Sequence, residues 1–244
     1  MKVARSGAVL RAVARFYLRP LRRALTGGGR SAPGMWRVRL GPVEVARRRV
    51  VLRSPRLSDG PEWCAIRLAE RERMEPWWVS SSLSWEQRHT EAVWVSTWLQ
   101  MRRAARAGRA LPLMVEVDGR LAGQCGLEWI DPFTRIGELG TWMDSRIAGG
   151  GYGVAATAMV VDYAFGVLGL QRITAPICPE NVAPANGCRR LGMVREGTMT
   201  SSLDVGGRRR DHDLWAITPD LVPPRGLIRR LAQRGAVVSP PAGV

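Results

Sequence analysis

Apolar and polar positions change period several times along the chain, and each change marks an element. Leu113 to Val117 and Arg120 to Ile130 alternate around Asp118-Gly119, a pair that favours a two-residue hairpin turn. Val194 to Val205 and Arg208 to Ile217 alternate in the same way around Gly206-Gly207. Val50 to Leu57, Arg135 to Met143 and Arg172 to Cys178 are further strand-like runs. Helical spacing governs the rest. Tyr152 to Leu168 places apolar residues at 152, 156, 159, 160, 163 and 167 with one charge, Asp162, which predicts a buried helix. Asp59 and Glu62 are spaced as a capping box for a helix reaching about Arg73. Ser84 to Gln87 opens a second helix, predicted to run to about Ala107, whose stripe of Val95, Trp98 and Met101 (with Trp94) suits core packing. Asn181 to Leu191 is a short helix ended by Gly192. Strand, two helices, a three-strand meander, helix, strand, helix, hairpin: this order implies an α/β or α+β domain with helices on both faces of one sheet.

Charge redraws the boundaries. The formal net charge is +16, yet residues 1–34 hold eight of the basic residues and residues 221–244 four, with no acid in either segment. The stretch 35–220 is therefore close to balanced and is taken as the domain. Residues 1–34 read as a basic, flexible extension: Ala8 to Arg19 is an amphipathic helix stopped by Pro20, and Thr26 to Gly34 is a linker by composition. That arm suits contact with ribosomal RNA or an anionic surface, or it is simply an unstructured tail; Met35 is an alternative start. Residues 221–244, with Pro223 and four arginines, read as a tail. Cys64, Cys125, Cys178 and Cys188 stand singly beside only two histidines, so no zinc site is expected and a reducing compartment is. No run approaches the roughly 20 apolar residues of a membrane span, and arginines break each candidate leader. The expected location is the cytoplasm.

The candidate chemistry lies at Ile147 to Val154, Ile-Ala-Gly-Gly-Gly-Tyr-Gly-Val, between a strand and the buried helix. A strand, a glycine turn and a helix start present unpaired N–H groups and a positive dipole end to an anion such as a phosphate. The cluster lacks the Gly-Lys-Ser/Thr ending of a Walker loop. It also follows about the fourth strand, where a dinucleotide fingerprint would follow the first.

The ordered set of motifs resembles the GNAT N-acetyltransferase superfamily. Ala148-Gly149-Gly150-Gly151-Tyr152-Gly153 is similar to its Gln/Arg-x-x-Gly-x-Gly/Ala turn, and Cys178-Pro179-Glu180-Asn181 through Leu191-Gly192-Met193 to its asparagine-bearing helix and Leu-Gly-Phe ending. Leu52 to Asp59, Met74-Glu75-Pro76-Trp77, Gly137 to Met143 and Asp211 to Ala216 resemble the branch that acetylates the N-terminal alanine of ribosomal proteins. The resemblance implies a mixed, mostly antiparallel sheet of about six or seven strands. It implies acetyl-CoA as cofactor and a primary amine as acceptor, foremost a protein N-terminus. A small-molecule amine, or a non-catalytic acetyl-CoA-binding or RNA-associated role, is the alternative.

Residue by residue, the resemblance implies that the backbone of Thr141, Trp142, Met143 and Asp144 pairs with the pantetheine arm. Gly149, Gly150, Gly151, Tyr152, Gly153 and Val154 would donate N–H groups to the pyrophosphate, and Asn181 would bond the pantetheine region. Arg146, Arg189 and Arg190 could contact the remaining phosphate or be surface charges. Glu138 is the candidate base, on the face of Gly140 and Trp142; the alternative is a structural carboxylate, since an α-amine of pKa about 8 needs little help and water could carry its proton. Three positions depart from the family pattern: Ala148 lacks the usual Gln or Arg, Pro184 replaces a serine, and Cys188 stands where many members keep a tyrosine acid. Cys188 is either a weak acid or a small buried side chain. Glu75, Trp77 and Trp78, with Trp85 and Trp129 in support, would wall the acceptor groove.

Overall fold

Eight strands form one sheet in the order β1-β2-β3-β4-β5-β6-β8-β7, with every neighbouring pair antiparallel except β5 and β6. The computed structural model describes residues 35–233 and 235; the expected arm at residues 1–34 and the last residues of the chain lie outside the described residues. The strands are β1 Arg39–Val45, β2 Arg48–Arg53, β3 Met114–Val117, β4 Arg120–Asp131, β5 Ile136–Met143, β6 Arg172–Ile177, β7 Val194–Val205 and β8 Arg208–Ile217. The helices are α1 Gly60–Ala69, α2 Arg71–Met74, α3 Trp85–Arg88, α4 Glu91–Arg106, α5 Tyr152–Gly166, α6 Val182–Leu191 and α7 Gly226–Gln233.

The predicted hairpins form where the turn chemistry allows: Asp118 and Gly119 both take positive φ, as do Gly206 and Gly207. Four expectations change. The β1–β2 hairpin was not foreseen, because its turn residues Ala46 and Arg47 reach positive φ without the glycine or asparagine that would announce them. Asp59 does not cap α1 with its side chain; its carboxylate accepts from Arg53 Nη1 and Nη2 (each 2.8 Å) and from the Arg56 N–H. The long second helix breaks at His89, because Thr90 starts a fresh cap on the Val93 N–H. The supposed tail after residue 221 carries α7, with Leu227, Ile228 and Leu231 buried. Asp162, the lone charge of α5, accepts the Leu227 and Ile228 N–H groups and so caps that helix.

Two cores result, one on each side of the sheet. The larger is aliphatic: α5 lies with α6 and α7 against Val43, Val50, Leu52, Leu127, Ile173 and Ile217. The smaller, beneath α1 to α4, is built around Trp63, Trp85, Trp94 and Trp142, with Trp78 and Trp98 at its margin. Between β5 and β6 the sheet parts. The two pair in parallel only at Ile136, Gly137 and Glu138, after which β6 stays with β8 through Ile177. Leu139 to Met143 keep β4 on one edge and have no ladder partner on the other among the described residues.

Candidate functional site

The parted strands lead into the glycine turn. β5 ends at Met143, a short 3-10 turn spans Ser145–Ile147, and α5 begins at Tyr152 with Gly151 as its cap. Gly149 (φ 92°) and Gly151 (φ 84°) hold left-handed conformations that side chains disfavour. The first helical N–H to meet a carbonyl is that of Ala155, on Gly151, so the preceding N–H groups of the turn face outward. Gly153 packs its Cα face toward Met143, where a Cβ would come within 3.3 Å of the side chain. An extended ligand lying along the open edge of β5 would thus run its anionic end onto the start of α5.

On the tryptophan side, the same stretch of β5 floors a cleft of about 210 Å³ lined by Gln100, Met101 and Ala104 of α4, by Leu111 and Leu113, and by Gln124, Glu128 and Gly140. A bulge makes this site. Leu127 pairs with Leu139 and Trp129 with Glu138, which leaves Glu128 as the extra residue of β4. Leu127 and Ile130 point into the aliphatic core, whereas Glu128 and Trp129 serve the opposite face. The Glu128 carboxylate lies over Gly140, where a Cβ would collide with it. Glu128 keeps contact with solvent, yet desolvation by the protein around its carboxyl raises it above the ordinary range; Arg67 offsets part of that rise and Glu138 adds to it. Glu138 is raised too, first by burial, with the Trp129 indole and His212 pulling the other way.

Glu138 therefore sits where the spacing put it, on the face of Gly140 and Trp142. Glu128, which sequence reasoning missed, is its neighbour. Cys188 is 5% exposed in the aliphatic core, its thiol pushed by burial to about 11; it is the small buried side chain, and the role of acid is set aside. Asp144 has its N–H and its carboxylate engaged within the protein. The strand ends before it, its N–H is already spent on the Ala122 carbonyl, and its buried carboxylate grips Arg146. Burial alone would raise that carboxyl, yet Arg146 holds it below the usual range. The Tyr152 ring is buried beside Gly150, leaving its N–H as the group on offer. Asn181 precedes α6 with a half-buried side chain that caps nothing. Arg189 binds Asn186 and lies over Trp215.

The acceptor wall is rearranged. Glu75 is paired with Arg71 at 2.7 Å, Trp77 lies under Arg210, and Trp78 covers Arg67 with the guanidinium carbon 3.8 Å from its ring centre. Trp85 is wholly buried and donates to the Arg67 carbonyl, so it lines no groove, while Trp129 stays open to solvent. The β7–β8 turn clamps this loop through Gly206 N–H on the Trp78 carbonyl. At the end of β6, Cys178 Sγ lies 3.2 Å from His212 Nε2. Among the described residues no cluster of metal ligands is found, and no helix is long and apolar enough to cross a membrane.

Comparison with known proteins fits this geometry. The acetyltransferase (GNAT) domain model matches residues 49–194. Probable N-acetyltransferase YjcK of Bacillus subtilis is 32% identical over 105 residues, 42% of this chain and 58% of that protein. The chain thus spans less than two thirds of the length of the curated relatives it matches. Among solved structures, Mycobacterium smegmatis RimJ in complex with CoA-disulfide is 35% identical, covers 83% of this chain and 97% of its own, and superposes with a TM-score of 0.80. The ribosomal-protein-S5-alanine acetyltransferase of Vibrio fischeri is 25% identical over 71% of this chain and 96% of its own, with a TM-score of 0.64.

Proposed function

The chain belongs to the GNAT acetyltransferase family, and on that premise we propose that it moves the acetyl group of acetyl-CoA onto a primary amine, foremost the free α-amine of a protein N-terminus. The observation that carries this reading is the junction at Gly140. That residue lies on the open edge of β5, where an extended cofactor arm can add as a strand, and it also floors the cleft that holds Glu128. The strand edge suited to a cofactor arm and the cleft that carries Glu128 adjoin at that residue.

The residues present suit acetyl-CoA, which supplies an acetyl thioester. Leu139 to Met143 offer unpaired backbone groups to its arm, with the N–H groups near Trp142 and Met143 placed to polarise a carbonyl. Gly149, Gly150, Gly151, Tyr152, Gly153 and Val154 offer N–H groups to a pyrophosphate, and Asn181 an uncommitted amide. On the acceptor side the amine nitrogen bonds to the acyl carbon as the carbon–sulfur bond breaks. Glu128 would take the proton that nitrogen gives up and return it to the departing CoA thiolate, leaving the amide and free CoA, with Glu138 as the like charge nearby. The RimJ and ribosomal-protein acetyltransferase neighbours support a protein acceptor.

The test is transfer of labelled acetyl from acetyl-CoA to a peptide array that varies the first residue, run beside a panel of small amines. Acetylated peptide N-termini are expected. Transfer to small amines alone would move the acceptor class, and cofactor binding with no transfer to either set would overturn catalysis.

A further inference from the structure

Arg67 of α1 is 3% exposed, yet it has no carboxylate within ion-pair distance among the described residues. Its Nε meets no acceptor, and Nη1 faces only the Met74 sulfur at 3.8 Å. Three indoles enclose the guanidinium, with ring centres at 3.8 Å (Trp78), 4.4 Å (Trp142) and 5.4 Å (Trp63) from its central carbon. The cage is fixed from the cleft side: Trp63 and Trp142 both donate their indole N–H to Gln124 Oε1, at 3.0 and 2.9 Å. A methionine would fill the same volume without desolvating a charge, so packing alone does not call for a cation here.

The carboxylate nearest to hand is Glu128: it lies against Gly140, two residues from Trp142 on the same face of β5, and the Trp142 ring is the one 4.4 Å from the Arg67 guanidinium carbon. We propose that Arg67 is a positioning residue for proton transfer: its caged charge favours the ionised form of Glu128 and disfavours a protonated amine beside it, so that the acceptor enters, or becomes, the neutral nucleophile. This rests on the acetyl-transfer reading above. A cation beside a reacting amine lowers that amine's affinity for its proton, and the indole faces keep water off the guanidinium itself. The other charged groups around the pair are Arg88 of α3, which faces Arg67, and Glu138 of β5, which faces Glu128 and has His212 of β8 behind it. His89, between Trp63 and Trp85, is held neutral by burial at about 4 and adds no charge near pH 7. Burial brings the Arg67 guanidinium down to about 9, which leaves it cationic at neutral pH.

The test uses the full chain with Arg67→Met, Arg67→Gln and Arg67→Lys. Removing the cation should move the acid limb of kcat/KM up by about one pH unit, and Arg67→Lys should restore most of it. The Glu128 carboxyl, followed by carbon-13 NMR in protein free of acetyl-CoA, should titrate higher in the neutral variants. An unmoved limb and an unmoved Glu128 titration in a folded neutral variant would overturn the assignment. If neither neutral variant folds, the wild type decides. A field from a caged charge should leave the acid limb in place between about 0.05 and 1 M KCl, whereas a large salt shift would assign it to surface charges and overturn the proposal. A wild type that acetylates no amine defeats the transfer reading, while the Glu128 titration still judges Arg67.

Discussion

The two faces of the sheet solve different problems with different residues. Under α5, α6 and α7 the contacts are mostly Val, Ile, Leu and Ala, with Trp215 and Tyr152 the buried aromatics, and the one acid of α5, Asp162, is spent capping α7. Burial pushes the Asp162 carboxyl up, and the two N–H bonds and Arg230 offset part of the rise. Under α1 to α4 four buried tryptophans dominate, joined by Cys64, Ile66, Met74, Met114 and Leu121, and indoles pack around Arg67 and His89 on the sheet face that carries Glu128 and Glu138. Indoles can do this because each offers a large apolar body, a face for a cation and an N–H for an acceptor. The aliphatic face stabilises the sheet. The aromatic face stabilises it less simply and keeps charges in place next to the parted strands.

The sharpest way to break that division is Glu128→Gln. Turnover should fall by about 10²- to 10⁴-fold, with circular dichroism and acetyl-CoA binding unchanged. The fold should not suffer. A carboxyl whose folded pKa is raised stabilises while protonated, and that contribution is lost as pH rises through the folded value. The variant should therefore gain on wild type in thermal midpoint from acid to neutral pH. For the same reason wild-type kcat/KM should fall on the acid side at a pH above the ordinary carboxylate range. A Gln variant that is unstable but active would put Glu128 in the scaffold and erase the contrast.

The matching change on the other face is Ile173→Ala, at a fully buried site. It should cost about 2–5 kcal/mol in urea unfolding, while kcat per folded molecule stays near wild type. Loss of kcat without loss of stability would show that the aliphatic face also tunes the chemistry. Gly151→Ala lies at the junction of the two. A side chain at its φ of 84° should cost about 1–2 kcal/mol and weaken acetyl-CoA binding by calorimetry, with the acceptor's KM little changed. Asp162→Ala is the mildest. Loss of the α7 cap should cost roughly 0.5–2 kcal/mol and speed amide exchange at Leu227 and Ile228, with no effect on turnover.

Much of this was legible beforehand, and the physical reason is locality. The α5 helix, the Asp118-Gly119 and Gly206-Gly207 turns and the Gly192 helix end follow from residues within a few positions of one another. The glycine turn before α5 was legible on the same grounds, since Gly149 and Gly151 take conformations that only their own lack of Cβ allows. The β1–β2 hairpin was not, because Ala46 and Arg47 are held at positive φ by the strands they join. Nor was α7, whose short amphipathic pattern among prolines and arginines means little until Asp162 arrives to cap it.

The acceptor side was decided by tertiary structure alone. Strict alternation along Leu127-Glu128-Trp129-Ile130 would put Glu128 and Ile130 on one face, and one extra residue in the ladder breaks it, turning Glu128 and Trp129 together to the face away from the aliphatic core, with Glu128 at the cleft. A bulge is a property of two strands, so no single strand's pattern reveals it. Arg67 is a surface residue by composition and becomes a buried cation only when α1, the loop at Trp78 and β5 converge on it. The sequence determined where a phosphate-bearing cofactor could lie, through local backbone freedom. Which charges face the cleft came from the register of β4 on β5 and the packing of helices across them, because electrostatic neighbours are set by distance in space.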